Sequence, residues 1–151
     1  MAGGGRLTSA DAAGGMSADE SAIRAVLEDF SRAFEERDAE LYAKNFSEDA
    51  DWENSFGGRA RGRARIEAFI RRVYPLFADA RQKLRDVRID FVVSDVAVVD
   101  VQRELIGQVT ERGEPVPTRR VRTTQVLRKE EGVWRVVVHR AADLRKHSKA
   151  R

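Results

Sequence analysis

Residues 87–106 read VRIDFVVSDVAVVDVQRELI, two β-rich runs hinged on Ser94-Asp95. Val87, Ile89, Phe91 and Val93 alternate with polar residues, the period of a strand with one buried face. Val96 to Ile106 forms a second strand, and its first four residues are all apolar, which predicts burial on both faces at its start. Downstream, the polar, Pro-containing loop Thr110 to Pro117 leads to a third strand, about Thr118 to Lys129. Glu130-Glu131-Gly132 then turns into a fourth, Val133 to Arg140. All of these connections are hairpin-like, so the second half is an antiparallel meander.

The first half has the other period. Ser17 and Glu20 form an S-x-x-E capping box, followed by Ile23, Val26, Leu27, Phe30 and Phe34 on one helical face, which predicts a helix from about 18 to 36. Asp38 caps a short second helix presenting Leu41, Tyr42 and Phe46. A turn at Ser47-Glu48-Asp49 leads to a short strand, Ala50 to Phe56, ended by Gly57-Gly58. Beyond Gly62, the positions Ile66, Phe69, Ile70, Val73, Tyr74 and Phe77 fit a third helix that Pro75 must kink or break. The fold class is therefore α+β: three N-terminal helices and a curved antiparallel sheet wrapped around them, with the early strand at its edge.

Length and composition restrict the function. The chain has 151 residues, 42% of them apolar, with 28 Lys+Arg against 25 Asp+Glu and no cysteine. That describes one domain, residues 16–144, between a Gly/Ala/Ser-rich disordered tail, 1–15, and a basic disordered end, 145–151. Without cysteine there is no disulfide, thiol nucleophile or zinc-thiolate site, and His139 and His147 alone do not suggest a metal centre. No fingerprint for a nicotinamide, flavin or haem cofactor is present, so none is expected. No apolar run approaches the ~20 residues of a membrane span, and MAGGGRLTSADAAGG has no hydrophobic signal core, which predicts a cytoplasmic protein.

Charge is uneven along the chain. Residues 17–54 hold 12 acids against 4 bases, and residues 55–88 hold 10 bases against 3 acids. The basic stripe, with Arg59, Arg61, Arg63 and Arg65, could be a phosphate footprint, but its aromatics follow helical spacing rather than interleaving with the charges. A solvated helix face is expected, not nucleic-acid binding.

The order helix, short helix, Asp49-Ala50-Asp51-Trp52-Glu53-Asn54, Gly pair, Gly-led helix and meander resembles the nuclear transport factor 2-like superfamily. Asp95-Val96-Ala97-Val98-Val99 and Val126 to Val136, with Gly132-Val133-Trp134-Arg135-Val136, are similar to its SnoaL-like and SgcJ/EcaC-type members. The resemblance covers about residues 18–144. It implies a cone-shaped fold and a cavity between the concave sheet and the helices. It does not imply one chemistry, because this fold hosts isomerases, cyclases, dehydratases, hydrolases and non-catalytic binding or dimerisation modules.

Laid over the ketosteroid isomerase pattern, the inward set becomes Val98, Asp100, Gln102 and Glu104 on one strand and Arg120, Arg122, Thr124 and Val126 on the next, with Trp52 and Asn54 inward as well. Phe30, Thr124 and Asn54 then stand where that isomerase chemistry needs a tyrosine, a protonated carboxyl and a carboxylate base, so the chemistry is lost. The site expected from this overlay has Asp100 or Glu104 as general acid/base and Arg122 as partner. Asn54 and Gln102 orient a small-molecule substrate, Trp52 and Tyr42 line the pocket, and Thr124 is a weak donor. The competing expectation is that Asp100, Glu104, Arg120 and Arg122 form cross-strand ion pairs on a solvated face. Ala97, Val99, Val101 and Leu105 become an apolar outer face, which predicts a homodimer. Trp134 is expected in the core, and strand parity with Trp134, Val136 and Val138 inward puts His139 outside. Related sequences often carry Asn-Thr where this one has Ala141-Ala142. The function expected is a small-molecule pocket protein. It is either a cofactor-independent acid/base enzyme of cyclase, isomerase or hydrolase type on a hydrophobic or polyketide-like metabolite, or a non-catalytic homodimerisation or ligand-binding module.

Overall fold

Along the strand Val96–Ile106, Ala97, Val99, Val101 and Leu105 are buried, while Val98, Asp100, Gln102 and Glu104 keep partial access to solvent. That alternation orients every layer of the molecule. The computed structural model describes residues 9–145, with side chains from residue 18 onward. The order is α1 (Ser9–Glu36), α2 (Ala39–Ala43), β1 (Phe46–Glu53), β2 (Arg59–Arg61), α3 (Arg63–Val73), a 3-10 turn Tyr74–Phe77, β3 (Arg81–Val93), β4 (Val96–Ile106), β5 (Arg119–Glu130) and β6 (Val133–Asp143). One six-stranded sheet runs β2-β1-β6-β5-β4-β3. The meander is antiparallel as expected, and β1 joins β6 in parallel, which makes the sheet mixed.

Helix α1 turns Ile23, Val26, Phe30 and Ala33 into the core at helical spacing. It begins at Ser9, ahead of the Ser17 capping box, so the backbone of 9–15 is helical where a disordered tail was expected. Residues 1–8 and the basic end 146–151 lie outside the described residues. The Asp38 cap forms as expected, its Oδ1 accepting from Leu41 N at 3.0 Å. Ser47-Glu48-Asp49 is not a turn. It lies within β1, where the register against β6 shifts between Phe46 and Asp51. Pro75 breaks the third helix into the 3-10 turn, as its missing N–H dictates.

A second irregularity has larger consequences. Val126 pairs with Val138, but its neighbour Leu127 pairs with Val136, so Val137 is an extra residue in β6. Such a bulge reverses the side-chain phase beyond it. Trp134 and Val136 are buried before it, and His139 is buried after it.

The N-terminal part of α1 is tied to the sheet through Asp19. Its Oδ1 accepts from Trp134 Nε1 at 3.0 Å and from Lys129 Nζ at 3.1 Å. These donors, the indole first, hold the Asp19 carboxyl below the usual carboxylate range. Asp19→Ala leaves the N–H of buried Trp134 without its acceptor, and the expected loss is about 1–2 kcal/mol in urea unfolding. Asp19→Asn, which keeps an acceptor, should lose less.

Candidate functional site

The concave side of the sheet and the helices enclose a cavity of about 180 Å³ walled largely by aromatic and aliphatic side chains, among them Phe30, Phe34, Phe69, Ile70 and Phe77. Trp52, from β1, and Tyr42, from α2, belong to the wall, and the indole Nε1 donates to Tyr42 Oη at 2.9 Å. That bond uses Tyr42 as an acceptor, and its own hydroxyl proton has no acceptor among the described residues. Burial pushes the Tyr42 hydroxyl up to about 12 and raises that of Tyr74 as well, so both are donors at neutral pH.

Arg103 and His139 complete the polar part. Arg103 follows Ala97, Val99 and Val101 in the inward phase of β4, where its side chain is half-buried. What accessibility its side chain keeps is where it borders this cavity and a second compartment of about 400 Å³ under α1. It forms no hydrogen bond or ion pair with a described residue. Burial lowers its pKa, and the nearby Tyr42 and Tyr74 oppose that shift. His139 stacks on Trp52, ring centroids 5.4 Å apart and planes within 14°. Burial first, then the charges of Arg103 and Arg140, push the imidazole down to about 3, so it is neutral at pH 7. Gln125 Nε2 lies 2.9 Å from His139 Nδ1, and with the amide as donor the ring proton sits on Nε2. Gln125 Oε1 is buried without a partner.

The far end of the cavity is closed by a second arginine. Arg119 donates to Asp143 Oδ1 at 2.7 Å, Gln108 Oε1 at 2.7 Å and Ser55 Oγ at 2.8 Å, and lies 4.4 Å over the Phe56 ring. Asn54 helps shape this end by accepting from Phe56 N at 3.0 Å and Gly58 N at 2.7 Å, which fixes the β1–β2 turn. Gly58 is needed there, since a Cβ would meet Phe69 at 2.9 Å.

The SnoaL-like domain model matches residues 16–140. The chain belongs to the SnoaL-like domain family. No curated protein matches it. Among solved structures it is similar to an uncharacterised protein with a cystatin-like fold from Caulobacter vibrioides, 25% identical over 83% of this chain and 89% of the other, TM-score 0.78. It is also similar to an NTF2-like protein with a cystatin-like fold from Novosphingobium aromaticivorans, 23% identical over 97% and 95%, TM-score 0.74. A third is a hexachlorocyclohexane dehydrochlorinase from Novosphingobium barchaimii, 18% identical over 87% and 90%, TM-score 0.78. The last two likenesses, below 25% identity, show the fold.

In this SnoaL-like chain Tyr42, Trp52 and Asn54 line the cavity. Asp100, Gln102, Glu104, Arg122 and Thr124 do not. They occupy the opposite face of the sheet, because β4 and β5 bury the other phase: Ala97, Val99, Val101 and Leu105 with Val121, Thr123, Gln125 and Leu127. On the outer face Thr124 Oγ1 donates to Asp100 Oδ1 at 2.6 Å, and Arg88 lies 3.3 Å from Asp100 Oδ2. Arg85 donates twice to Glu104, at 2.7 and 3.0 Å, and holds that carboxyl below its usual range. The expected apolar outer face is therefore the core itself, and the polar face does form cross-strand ion pairs, though with Arg85 and Arg88 of β3 as the cations rather than the expected Arg120 and Arg122.

Arg103, Arg119, Tyr74, His139 and Gln125 were not assigned to the site from sequence. The alternation Ala97, Val99, Val101 was itself a sufficient signal for Arg103, since inward apolar residues carry position 103 with them. Nothing in the local sequence marks the bulge at Val137 that brings His139 inside. Two of the four stripe arginines have partners within the protein: Arg63 Nε donates to Phe46 O at 2.8 Å, and Arg59 lies 3.6 Å from Glu53. Among the described residues no cluster of metal-binding side chains occurs, and no helix is long and apolar enough to cross a membrane.

The depressed His139 pKa has a definite sign. The unfolded chain takes up this proton near pH 6.5 and the folded chain near 3, so stability is lost as pH falls through that window. The His139 imidazole signals in NMR should stay unprotonated from about pH 8 to 5. Between about pH 7 and 4.5, His139→Gln should lose less stability than the parent chain.

Proposed function

We propose that this protein binds a small, largely apolar, ring-bearing molecule in the cavity between sheet and helices. The observation that carries this reading is an aromatic cavity with donors grouped on its inner wall, the usual composition of a small-molecule site. Its volume is somewhat above the roughly 150 Å³ of an engineered apolar cavity that takes benzene, so one substituted ring is the natural occupant. Trp52 offers the readout. In a Trp134→Phe background the remaining indole fluorescence should respond saturably to ring compounds. Ala141→Phe, which fills the cavity from β6, should weaken the response by about tenfold or more. An unaltered response in Ala141→Phe would place the binding elsewhere.

A second reading, a cofactor-independent acid/base enzyme of cyclase, isomerase or hydrolase type on a hydrophobic or polyketide-like metabolite, is favoured by His139. No carboxylate lines the aromatic cavity, so His139 is the group there that can take a proton. Turning the Gln125 amide by half a revolution sets Oε1 against Nδ1–H and leaves Nε2 as the base, while Arg103 and Tyr42 receive negative charge on a substrate oxygen. The test is deuterium exchange at the α-carbon of 2-tetralone. Catalysed exchange that Gln125→Glu speeds and His139→Gln abolishes supports the enzyme. Exchange at the buffer rate in all three proteins leaves a ligand-binding module.

Association of two copies through the outer sheet face is also part of the proposal. Val98, Val126 and Val138 stand in register there across three strands, between the ion pairs of Asp100 and the bulge. Light scattering at micromolar concentration should give twice the chain mass, and a monomer mass ends that proposal.

A further inference from the structure

Every polar group that Tyr42, Tyr74, Arg103 and His139 offer the cavity is a donor. The Tyr42 oxygen accepts from Trp52, which leaves its hydroxyl proton to donate, and with the Gln125 amide donating to Nδ1 the His139 ring proton sits on Nε2. Arg103 is a permanent cation. The aromatic cavity has no aspartate or glutamate in its wall; of its amides, Asn54 and Gln108 already accept bonds from the backbone and from Arg119, and Gln82, which borders the same two compartments as Arg103, is a neutral group that cannot balance a cation. The compartment under α1 has Glu28 and Glu35 on its border, and neither forms an ion pair with Arg103.

The two arginines of the cavity make the point by contrast. Arg119 has Asp143, Gln108 and Ser55 bound to its two terminal nitrogens, a carboxylate among them, and only its Nε is buried without a partner. Arg103 has two tyrosine hydroxyls and a neutral imidazole in its neighbourhood and no countercharge. A guanidinium drawn even partly out of water is retained against its desolvation penalty when something supplies the opposite charge. Here the open volume in front of it is where that charge must come from.

We infer that the ligand carries a carboxylate on its ring or on a short side chain, received by the Arg103 guanidinium with the Tyr42 and Tyr74 hydroxyls beside it. This rests on the cavity being the ligand site, and it adds a charge and a chemical class to that reading. The planar fork of arginine matches two carboxylate oxygens, and the aromatic wall takes the ring.

The test compares isosteric acids and amides by calorimetric titration at neutral pH: benzoate and 3-phenylpropionate against benzamide and 3-phenylpropanamide. At least one acid should bind at least about tenfold more tightly than its amide. Arg103→Met should erase that preference while leaving the amide within about threefold. Arg103→Lys, which keeps the charge and loses the fork, should retain part of the preference. Free of ligand, Arg103→Met should melt higher than the parent by about 2–4 °C, because it removes a half-buried charge with no countercharge. Amides binding as tightly as acids, or an acid preference that survives in Arg103→Met, overturns the inference and leaves the cavity reading intact. A lower melting temperature for Arg103→Met overturns it too, since Arg103 would then be a structural cation. If neither acids nor amides bind, the inference and the cavity reading fail together.

Discussion

The buried phase of β4 holds one charge. Ala97, Val99, Val101 and Leu105 must face the helices because they are the apolar residues of that strand, and a strand offers no means of turning Arg103 away from the same side. The long side chain then has to be accommodated inside the cone. The cavity, the tyrosines that border it and His139 lie around that cation, and burial first, then the charges of Arg103 and Arg140, keep the imidazole neutral. Removing the alternation, by contrast, would leave the sheet without a core face at all.

Two different solutions to burying an arginine coexist within one small volume. At the end of the cavity Arg119 is compensated by a carboxylate, an amide and a hydroxyl, and it ties β5, β6 and the β1–β2 turn into one rigid rim. In the interior Arg103 is left with hydroxyl and ring partners that do not cancel its charge. The first arrangement stabilises the fold; the second withholds stability from the free protein and makes it available to whatever enters. Proteins commonly hold such tension at the place where they work.

The fold was legible because hydrophobic periodicity is a local signal. The period of 3.6 through Ile23, Val26 and Phe30 and the alternation through Val87 to Val93 each specify an element without reference to the rest of the chain. The cavity residues Tyr42, Trp52 and Asn54 followed from their elements. Asp100, Glu104 and Arg122 were placed inward by aligning the strands with a relative's catalytic pattern, and a strand's two faces exchange with a shift of one residue. The apolar phase of β4 pointed the other way and agrees with the structure. His139 was beyond local signals altogether. Its orientation depends on how β5 and β6 pair over ten positions, and the mismatch at Val137 shows only when both strands are in place.

That extra residue separates composition from connectivity as sources of site chemistry. Up to Val136, β6 is read by the core as an ordinary strand, and beyond Val137 the same strand shows the core its other side. Were Val137 taken into regular pairing with Val126, the sequence would be unchanged and every later residue of β6 would move on by one place. That would carry the imidazole to the outer face and turn the neighbouring Arg140 toward the aromatic chamber. In a scaffold of this kind a new pocket can therefore arise from whether one strand residue is bulged or paired, with no side chain in the pocket being replaced.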